Sequence, residues 1–160
     1  ESFKSALIIP FRFCPAGSMA VRTNRPYFEF LRKFLKTAPY EELIDTIKSN
    51  LEEKGVKADV FKSCWPHQFV VCMWTIRRRK KLLKRARQYD ALVVLGCEAA
   101  VDTIHDAVKQ TSCKVFQGMR SEGIMSIQPQ FRLPCNISLD LNNVTPLVHQ
   151  PNHSVQWSSL

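Results

Sequence analysis

The stretch 89–101, YDALVVLGCEAAV, decides the fold of this chain. The apolar run that ends at Leu95 has the length of a buried strand, and Gly96 permits a tight turn after it. Cys97 follows the turn, and apolar residues recur at helical spacing from Glu98 onward. The stretch therefore predicts a strand that ends in one thiol and passes directly into a helix.

The other long segments repeat this order of strand and helix. Further strands are predicted at 5–13, 56–63 and 113–118, and further helices at 39–55, 69–88 and 98–110. Strands that alternate with helices are typical of a parallel sheet covered on both faces. We predict an α/β fold, namely a three-layer Rossmann-like open sheet that is mainly parallel, with a short extra strand or two near the C-terminus.

The segments outside this alternation have weaker patterns. Residues 14–18 are expected to form a turn and 19–25 a loop, after which Pro26 begins a helix with a largely aromatic apolar stripe. Two short edge strands are predicted at 124–127 and 136–141.

Length and composition favour one globular domain, at 1–141, followed by a polar surface tail at 142–160. The chain has 160 residues, of which 45% are hydrophobic, and no apolar run approaches the roughly 20 residues that a membrane-spanning helix needs. Six cysteines are too few for a disulfide-stapled miniprotein, and they favour a reducing, cytoplasmic setting. The net charge of +9 favours acidic or polyanionic partners.

Three of the predicted strands end in a cysteine, which is the main clue to function. These residues are Cys14, Cys64 and Cys97. The carboxyl ends of parallel strands meet at one edge of the sheet, where open α/β sheets bind ligands. Cysteine thiolates suit zinc, copper(I) and iron–sulfur clusters. The sequence therefore predicts a metal-binding site at this edge, holding an iron–sulfur cluster or zinc.

The fourth ligand is open among three residues. Cys72 lies one turn into the helix predicted at 69–88, and His67 and Cys135 are the alternatives. Cys113 begins its strand, which places it at the opposite edge and excludes it. Two other interpretations remain: cysteine is often a small buried residue with no chemical role, and two thiols can form a redox pair without metal.

The stretch 92–101, together with Cys14 and Cys64, resembles the cysteine-bearing α/β domain in the small subunit of methylenetetrahydrofolate reductases of anaerobes and in the C-terminal domain of related proteins. The likeness spans about residues 5–127 and includes the loop from 115 to 124. It implies an iron–sulfur centre and a role in one-carbon redox complexes. The chain lacks the family's clustered cysteines after the first strand and its C-terminal cysteine-rich motif, so the resemblance implies one site at most.

A strongly basic helix is the second feature with functional meaning. Residues 76–87 hold eight basic residues in twelve, and Trp74, Leu82, Leu83 and Ala86 can still face inward. The candidate docking residues are Arg77, Arg78, Arg79, Lys80, Lys81, Lys84 and Arg85. Such a helix is either a solvated face or a docking surface, for acidic subunits of a larger redox enzyme or for nucleic acid.

Three functional hypotheses follow. The first is a metal- or iron–sulfur-binding accessory domain, a non-catalytic or electron-transfer subunit of an oxidoreductase complex. The second is a basic nucleic-acid-binding module that uses the helix around 74–88. The third is a thiol-dependent enzyme with Cys97 as nucleophile, activated because a helix N-terminus lowers the pKa of a thiol. The sequence contains no phosphate-binding loop, dinucleotide fingerprint or serine-nucleophile turn.

Overall fold

The computed structural model describes residues 3–29, 38–62, 74–132 and 136–146. Its elements, in chain order, are β1 (Ser5–Pro10), α1 (Cys14–Arg22), β2 (Phe28–Glu29), α2 (Ala38–Glu53), β3 (Lys57–Val60), α3 (Ile76–Ala86), β4 (Ala91–Leu95), α4 (Glu98–Val108), β5 (Lys114–Gln117), β6 (Gly123–Arg132) and β7 (Asn136–Pro146). The predicted alternation of strands and helices is confirmed.

Four strands form one parallel sheet in the order β3-β1-β4-β5. Strand β1 lies in its centre, where Ala6 pairs with Ala58 of β3 on one side and with Ala91 of β4 on the other. Pro10 is the last residue of β1, so this proline ends the strand. The prediction of a mainly parallel, open α/β sheet is confirmed.

Helices cover both faces of the sheet, which gives the predicted three layers. On one face, Leu7 and Leu92 pack against Leu82 of α3 and Ile104 of α4. On the other face, Ile8 and Leu95 pack with residues of the remaining two helices, namely Ala16 and Ala20 of α1 and Tyr40 and Ile44 of α2. Alternate residues of each central strand thus enter opposite cores, as expected for strands buried on both faces.

Helix α2 closely matches its predicted range. It begins at Ala38 and ends at Glu53, and Gly55 follows with φ +76°, a conformation that favours glycine. The buried hydroxyl of Tyr40 donates a hydrogen bond of 2.9 Å to the carbonyl of Leu95. This bond ties the start of α2 to the carboxyl end of β4.

The turn at 14–18 and the loop at 19–25 were wrong predictions, because α1 occupies most of this segment. Pro15 falls in the first helical turn, where proline is tolerated. Gly17 lies in van der Waals contact range of Leu139 and Tyr27, at 3.6 and 3.7 Å from the position that a Cβ would take. Proline and glycine predict a turn locally, but here both residues fit a helix that packs on a neighbouring strand.

The helix predicted to begin at Pro26 was also wrong at its start. Phe28 and Glu29 form β2, which pairs antiparallel with β7, and the Tyr27 amide donates to the carbonyl of Ile137 at 2.6 Å. Aromatic residues suit strands as well as helices, and pairing with β7 decides between them. Residues 30–37 of this predicted helix lie outside the described residues.

A second, antiparallel sheet forms near the C-terminus, in the order β2-β7-β6. The two predicted edge strands exist, but both are longer than predicted. Strand β7 continues to Pro146, into the segment predicted as a tail. Most residues of β6 are exposed, and its sequence therefore lacks the alternation of apolar and polar residues that would predict its full length. None of the helices in the described ranges has the length and apolar character to cross a membrane.

Candidate metal site at the carboxyl edge

The carboxyl ends of β1 and β4 form the centre of the candidate site. From β1 the chain continues to β3, which lies on one side of β1 in the sheet. From β4 the chain continues to β5, which lies on the other side. The helices α1 and α4, which follow β1 and β4, cover opposite faces of the sheet. The connections therefore diverge between these two strands. This is the topological switch point at which open α/β sheets bind ligands.

Cys97 lies on the β4 side of the switch point, where it was predicted. It is the N-terminal cap residue of α4, and its carbonyl accepts hydrogen bonds from the amides of Ala100 at 2.9 Å and Val101 at 3.1 Å. Gly96 makes this entry tight, because a Cβ on it would lie 2.7 Å from the Cβ of Ala100. The strand, glycine turn, thiol and helix follow one another as the sequence indicates.

Cys14 lies on the β1 side of the switch point, as the first residue of α1. Each of these two cysteines thus stands at the N-terminus of a helix, and each has a free thiol that reaches solvent at least in part. Phe11 and Leu95 connect the two strand ends through a backbone hydrogen bond of 3.0 Å. The fold therefore places Cys14 and Cys97 at the same edge of the sheet.

The two thiols interact electrostatically. Partial burial raises the pKa of Cys14, and the negative charge of the Cys97 thiolate raises it further. Tyr27 is a third member of this group: burial, with a contribution from the charge of Cys14, raises its pKa to about 12. Ionisation of Cys14 is thus disfavoured at neutral pH, despite its position at a helix N-terminus.

An ordered polar loop borders Cys97. The Glu98 carboxylate accepts hydrogen bonds from the Ser121 hydroxyl, from the Ser121 amide at 3.3 Å and from the Gln117 side chain at 3.2 Å. Although partial burial acts to raise it, these bonds hold the pKa of Glu98 below its ordinary value. Glu98 also lines an open cavity of about 380 Å³ with Gln117, Gly118, Met119 and Arg120. The sequence does not predict these hydrogen bonds to Glu98, because the donors lie in a segment that contains no recognisable motif.

Two arginines lie close together at the same edge. Arg12 follows β1, and its Nε donates to the Glu41 carboxylate at 2.6 Å. Arg78 lies in the first turn of α3, with its guanidinium 3.8 Å from the centre of the Trp74 ring. Burial, followed by the nearby charge of Arg12, lowers the pKa of Arg78 to about 10. The two guanidiniums are thus close enough to interact, although Glu41 offsets the charge of Arg12. The sequence did not predict that these two arginines lie together.

Aromatic rings beneath these arginines connect α3 to the strand ends. Trp74 stacks on Phe11 with 5.3 Å between ring centroids and on Phe61 with 5.7 Å. Phe11 follows β1 and Phe61 follows β3, so α3 begins at the carboxyl edge.

Cys113 lies at the opposite edge, as predicted. It precedes β5, and burial together with the charge of Asp90 raises its pKa to about 11. The other predicted ligands, Cys64, Cys72, His67 and Cys135, lie outside the described residues. Within the ranges that the structure describes, no three His, Cys, Asp or Glu side chains are grouped closely enough to hold a metal ion.

The basic helix α3 divides into two sets of side chains. Three of the predicted docking residues contact other side chains of the protein: Arg78 stacks on Trp74, Arg79 pairs with Asp106 at 2.5 Å, and Arg85 donates to the Tyr89 hydroxyl at 3.0 Å. The other predicted docking residues, Arg77, Lys80, Lys81 and Lys84, are exposed.

Comparison with known proteins adds no relative. The chain matches no protein-family model, no curated protein and no solved structure. The resemblance to the methylenetetrahydrofolate reductase domain therefore stays a prediction from the sequence.

Proposed function

We propose that this domain holds one thiolate-ligated centre, an iron–sulfur cluster or a zinc ion, between Cys14 and Cys97. We further propose that it serves as an accessory subunit of a cytoplasmic redox complex in one-carbon metabolism, which transfers electrons if the centre is an iron–sulfur cluster and is non-catalytic if it is zinc. One observation carries the proposal: the two cysteines lie on either side of the switch point, close enough for their thiolate charges to repel each other.

A shared cation would remove the repulsion between the two thiolates. Two thiolates repel when both are ionised, which is why the charge of Cys97 raises the pKa of Cys14. A metal ion between them attracts both charges and displaces the thiol protons. The raised pKa of Cys14 is therefore compatible with a ligand whose affinity for metal increases with pH.

The positive surroundings suit an iron–sulfur centre in particular. Clusters held by several thiolates carry net negative charge, and nearby charges and hydrogen bonds set their reduction potential. Arg78 supplies positive charge at the carboxyl edge, whereas Glu41 offsets the charge of Arg12. The resemblance noted from the sequence implies the same kind of centre and the one-carbon setting.

The donor set fits such a centre in part. The described residues supply two thiols, whereas a structural zinc site or a cluster is usually held by four ligands. The missing ligands would come from the predicted set of Cys64, Cys72, His67 and Cys135. Of these, Cys64 follows β3, the neighbour of β1.

The described surroundings of Cys97 make a thiol enzyme the weaker candidate. A cysteine nucleophile is usually activated by an adjacent base such as histidine. Of the histidines, the described ranges include His105, which lines a cavity with Cys113 at the opposite edge. It is therefore not available to activate Cys97.

The test is metal analysis of the full chain, purified without oxygen, with visible absorption and acid-labile sulfide determination. We expect bound iron with sulfide, or bound zinc, in the unaltered chain. Cys14→Ser and Cys97→Ser should each lower the metal content at least about tenfold after gel filtration. Cys113→Ser, at the opposite edge, is the matched control and should retain the metal.

Two outcomes would overturn the proposal. A metal-free protein that takes up neither ferrous iron with sulfide nor zinc would contradict it. So would equal metal loss in the Cys113→Ser control, because the site would then not lie at the carboxyl edge. Circular dichroism of each variant separates loss of metal from loss of fold.

A further inference from the structure

The outer face of α3 carries a continuous stripe of positive charge. It consists of Arg77, Lys80, Lys81, Lys84 and Arg87, the last being the C-terminal cap residue. All five are exposed, and their spacing places them on one side of the helix over about 15 Å. We call this set the basic stripe.

The basic stripe is not neutralised by the described part of the protein. Among those residues, two carboxylates beside α3 are already engaged: Asp106 holds Arg79 and Lys109, and Asp59 accepts from the Tyr89 hydroxyl. Within the described ranges, Lys81 donates to the backbone carbonyl of Lys62, and no ion pair involves the other four members. Five like charges repel one another, so a binding partner with opposite charge would relieve the repulsion.

An apolar side chain lies beside these charges. Ile76 begins α3 and is 73% exposed, and Leu83 follows it at helical spacing on the same side and is half-buried. Lys80 and Arg87 lie next to this pair along the helix. The face therefore combines one exposed apolar side chain at the start of the helix with charges along its length.

This combination distinguishes between two kinds of acidic partner. Protein interfaces bury an apolar centre within a polar rim. A nucleic-acid backbone would use the charges but gain little from Ile76. Binding of single-stranded nucleic acid usually adds exposed aromatic rings for base stacking. On α3 and its flanking residues that the structure describes, Trp74 is buried between Phe11 and Phe61.

We propose that the basic stripe and Ile76 form a docking surface for an acidic protein, which presents clustered Asp and Glu carboxylates around an apolar side chain. The inference does not depend on the metal centre, since every residue that carries it lies on the solvent face of α3. Because α3 begins at the carboxyl edge, Ile76 lies at the end of the docking surface that is nearest to that edge.

The test uses the full chain and three probes of equal negative charge. The first is a helical peptide with Glu side chains spaced to face the stripe and a Leu to face Ile76. The second is polyglutamate, and the third is a single-stranded DNA oligonucleotide. We expect the peptide to bind most tightly, and its binding to weaken as salt is added.

Paired variants separate the stripe from net charge. Lys80→Glu with Lys84→Glu should weaken peptide binding about tenfold or more at low salt. Lys54→Glu with Lys57→Glu changes the net charge equally, at two exposed positions away from α3, and should change binding less than about twofold. Ile76→Ala should weaken binding of the peptide but not of polyglutamate.

Three results would overturn the inference. Equal losses in both charge-reversal pairs would mean that net charge alone drives binding. Tighter binding of the oligonucleotide than of the peptide, with dependence on the stripe, would assign the surface to nucleic acid. Failure of the peptide to bind at low salt would remove the docking surface altogether.

Discussion

The two edges of the parallel sheet hold cysteines in different electrostatic settings. At the carboxyl edge, the charge that opposes ionisation of Cys14 belongs to a second thiol, Cys97. At the amino edge, the charge that opposes ionisation of Cys113 belongs to Asp90. Asp90 already accepts hydrogen bonds from the backbone amides of Lys4 and Ser5, each at 2.9 Å.

This difference shows why position matters more than the presence of a cysteine. The Asp90 carboxylate at the amino edge has a structural role, because its hydrogen bonds join β1 to the start of β4. The carboxyl-edge thiols oppose each other at a point where connections diverge and a ligand can enter. A shared cation is therefore expected at the carboxyl edge and not beside Cys113.

Substituting one glycine near each edge should give the largest effect on stability. Gly96→Ala introduces a Cβ 2.7 Å from the Ala100 Cβ and 3.3 Å from the Phe11 ring, so the turn before Cys97 must shift. We expect a loss of about 2–3 kcal/mol in the free energy of unfolding, measured by urea denaturation.

Gly55→Ala is the matched substitution, because Gly55 leads into β3 at the amino edge. Its Cβ would meet nothing within 4 Å, and only the positive φ opposes alanine. We expect a loss of about 1 kcal/mol. A larger loss at Gly55 than at Gly96 would mean that the carboxyl-edge turn is not as closely packed as described.

Thiol reactivity should give a smaller effect that separates the two edges. The thiolate is the reactive form, so lowering a pKa speeds alkylation at a pH below that pKa. At alkaline pH, where thiols ionise, Cys97→Ser removes the opposing charge and should speed alkylation of Cys14 by iodoacetamide without changing Cys113. Asp90→Asn should speed alkylation of Cys113 and leave Cys14 unchanged. Mass spectrometry of the labelled peptides, on metal-free protein, measures both rates.

The pH dependence provides a check on the same comparison. The pKa of Cys113 is raised to about 11, so its alkylation rate should still be increasing at pH 10. If the Cys97→Ser and Asp90→Asn variants affected both cysteines alike, the electrostatic separation of the two edges would be wrong.

The sequence predicts the sheet because its evidence is local. The apolar runs of β1 and β4 have strand length, and Gly96 and Cys97 precede a helical pattern. These local features are enough to place Cys97 at a helix N-terminus and Cys113 at the other edge of the sheet.

What the sequence misses depends on contacts between distant segments. Strand order decides that Cys14 and Cys97 flank the switch point, and no local pattern contains that order. Likewise, β2 exists because β7 pairs with it, and α1 packs against Leu139 of β7. The raised pKa of Cys14 arises from burial and from Cys97, which helix position alone does not reveal.

The central claim is that Cys14 and Cys97 bind one ion together, and a double-mutant cycle of cobalt(II) affinity tests it most directly. Titration of metal-free protein would follow the thiolate-to-cobalt absorption of the unaltered chain, Cys14→Ser, Cys97→Ser and the double variant. If one ion is shared, each single variant loses most of the affinity, and the double variant loses little more. Losses that multiply in the double variant, or single variants that bind cobalt as well as the unaltered chain, would contradict a shared site.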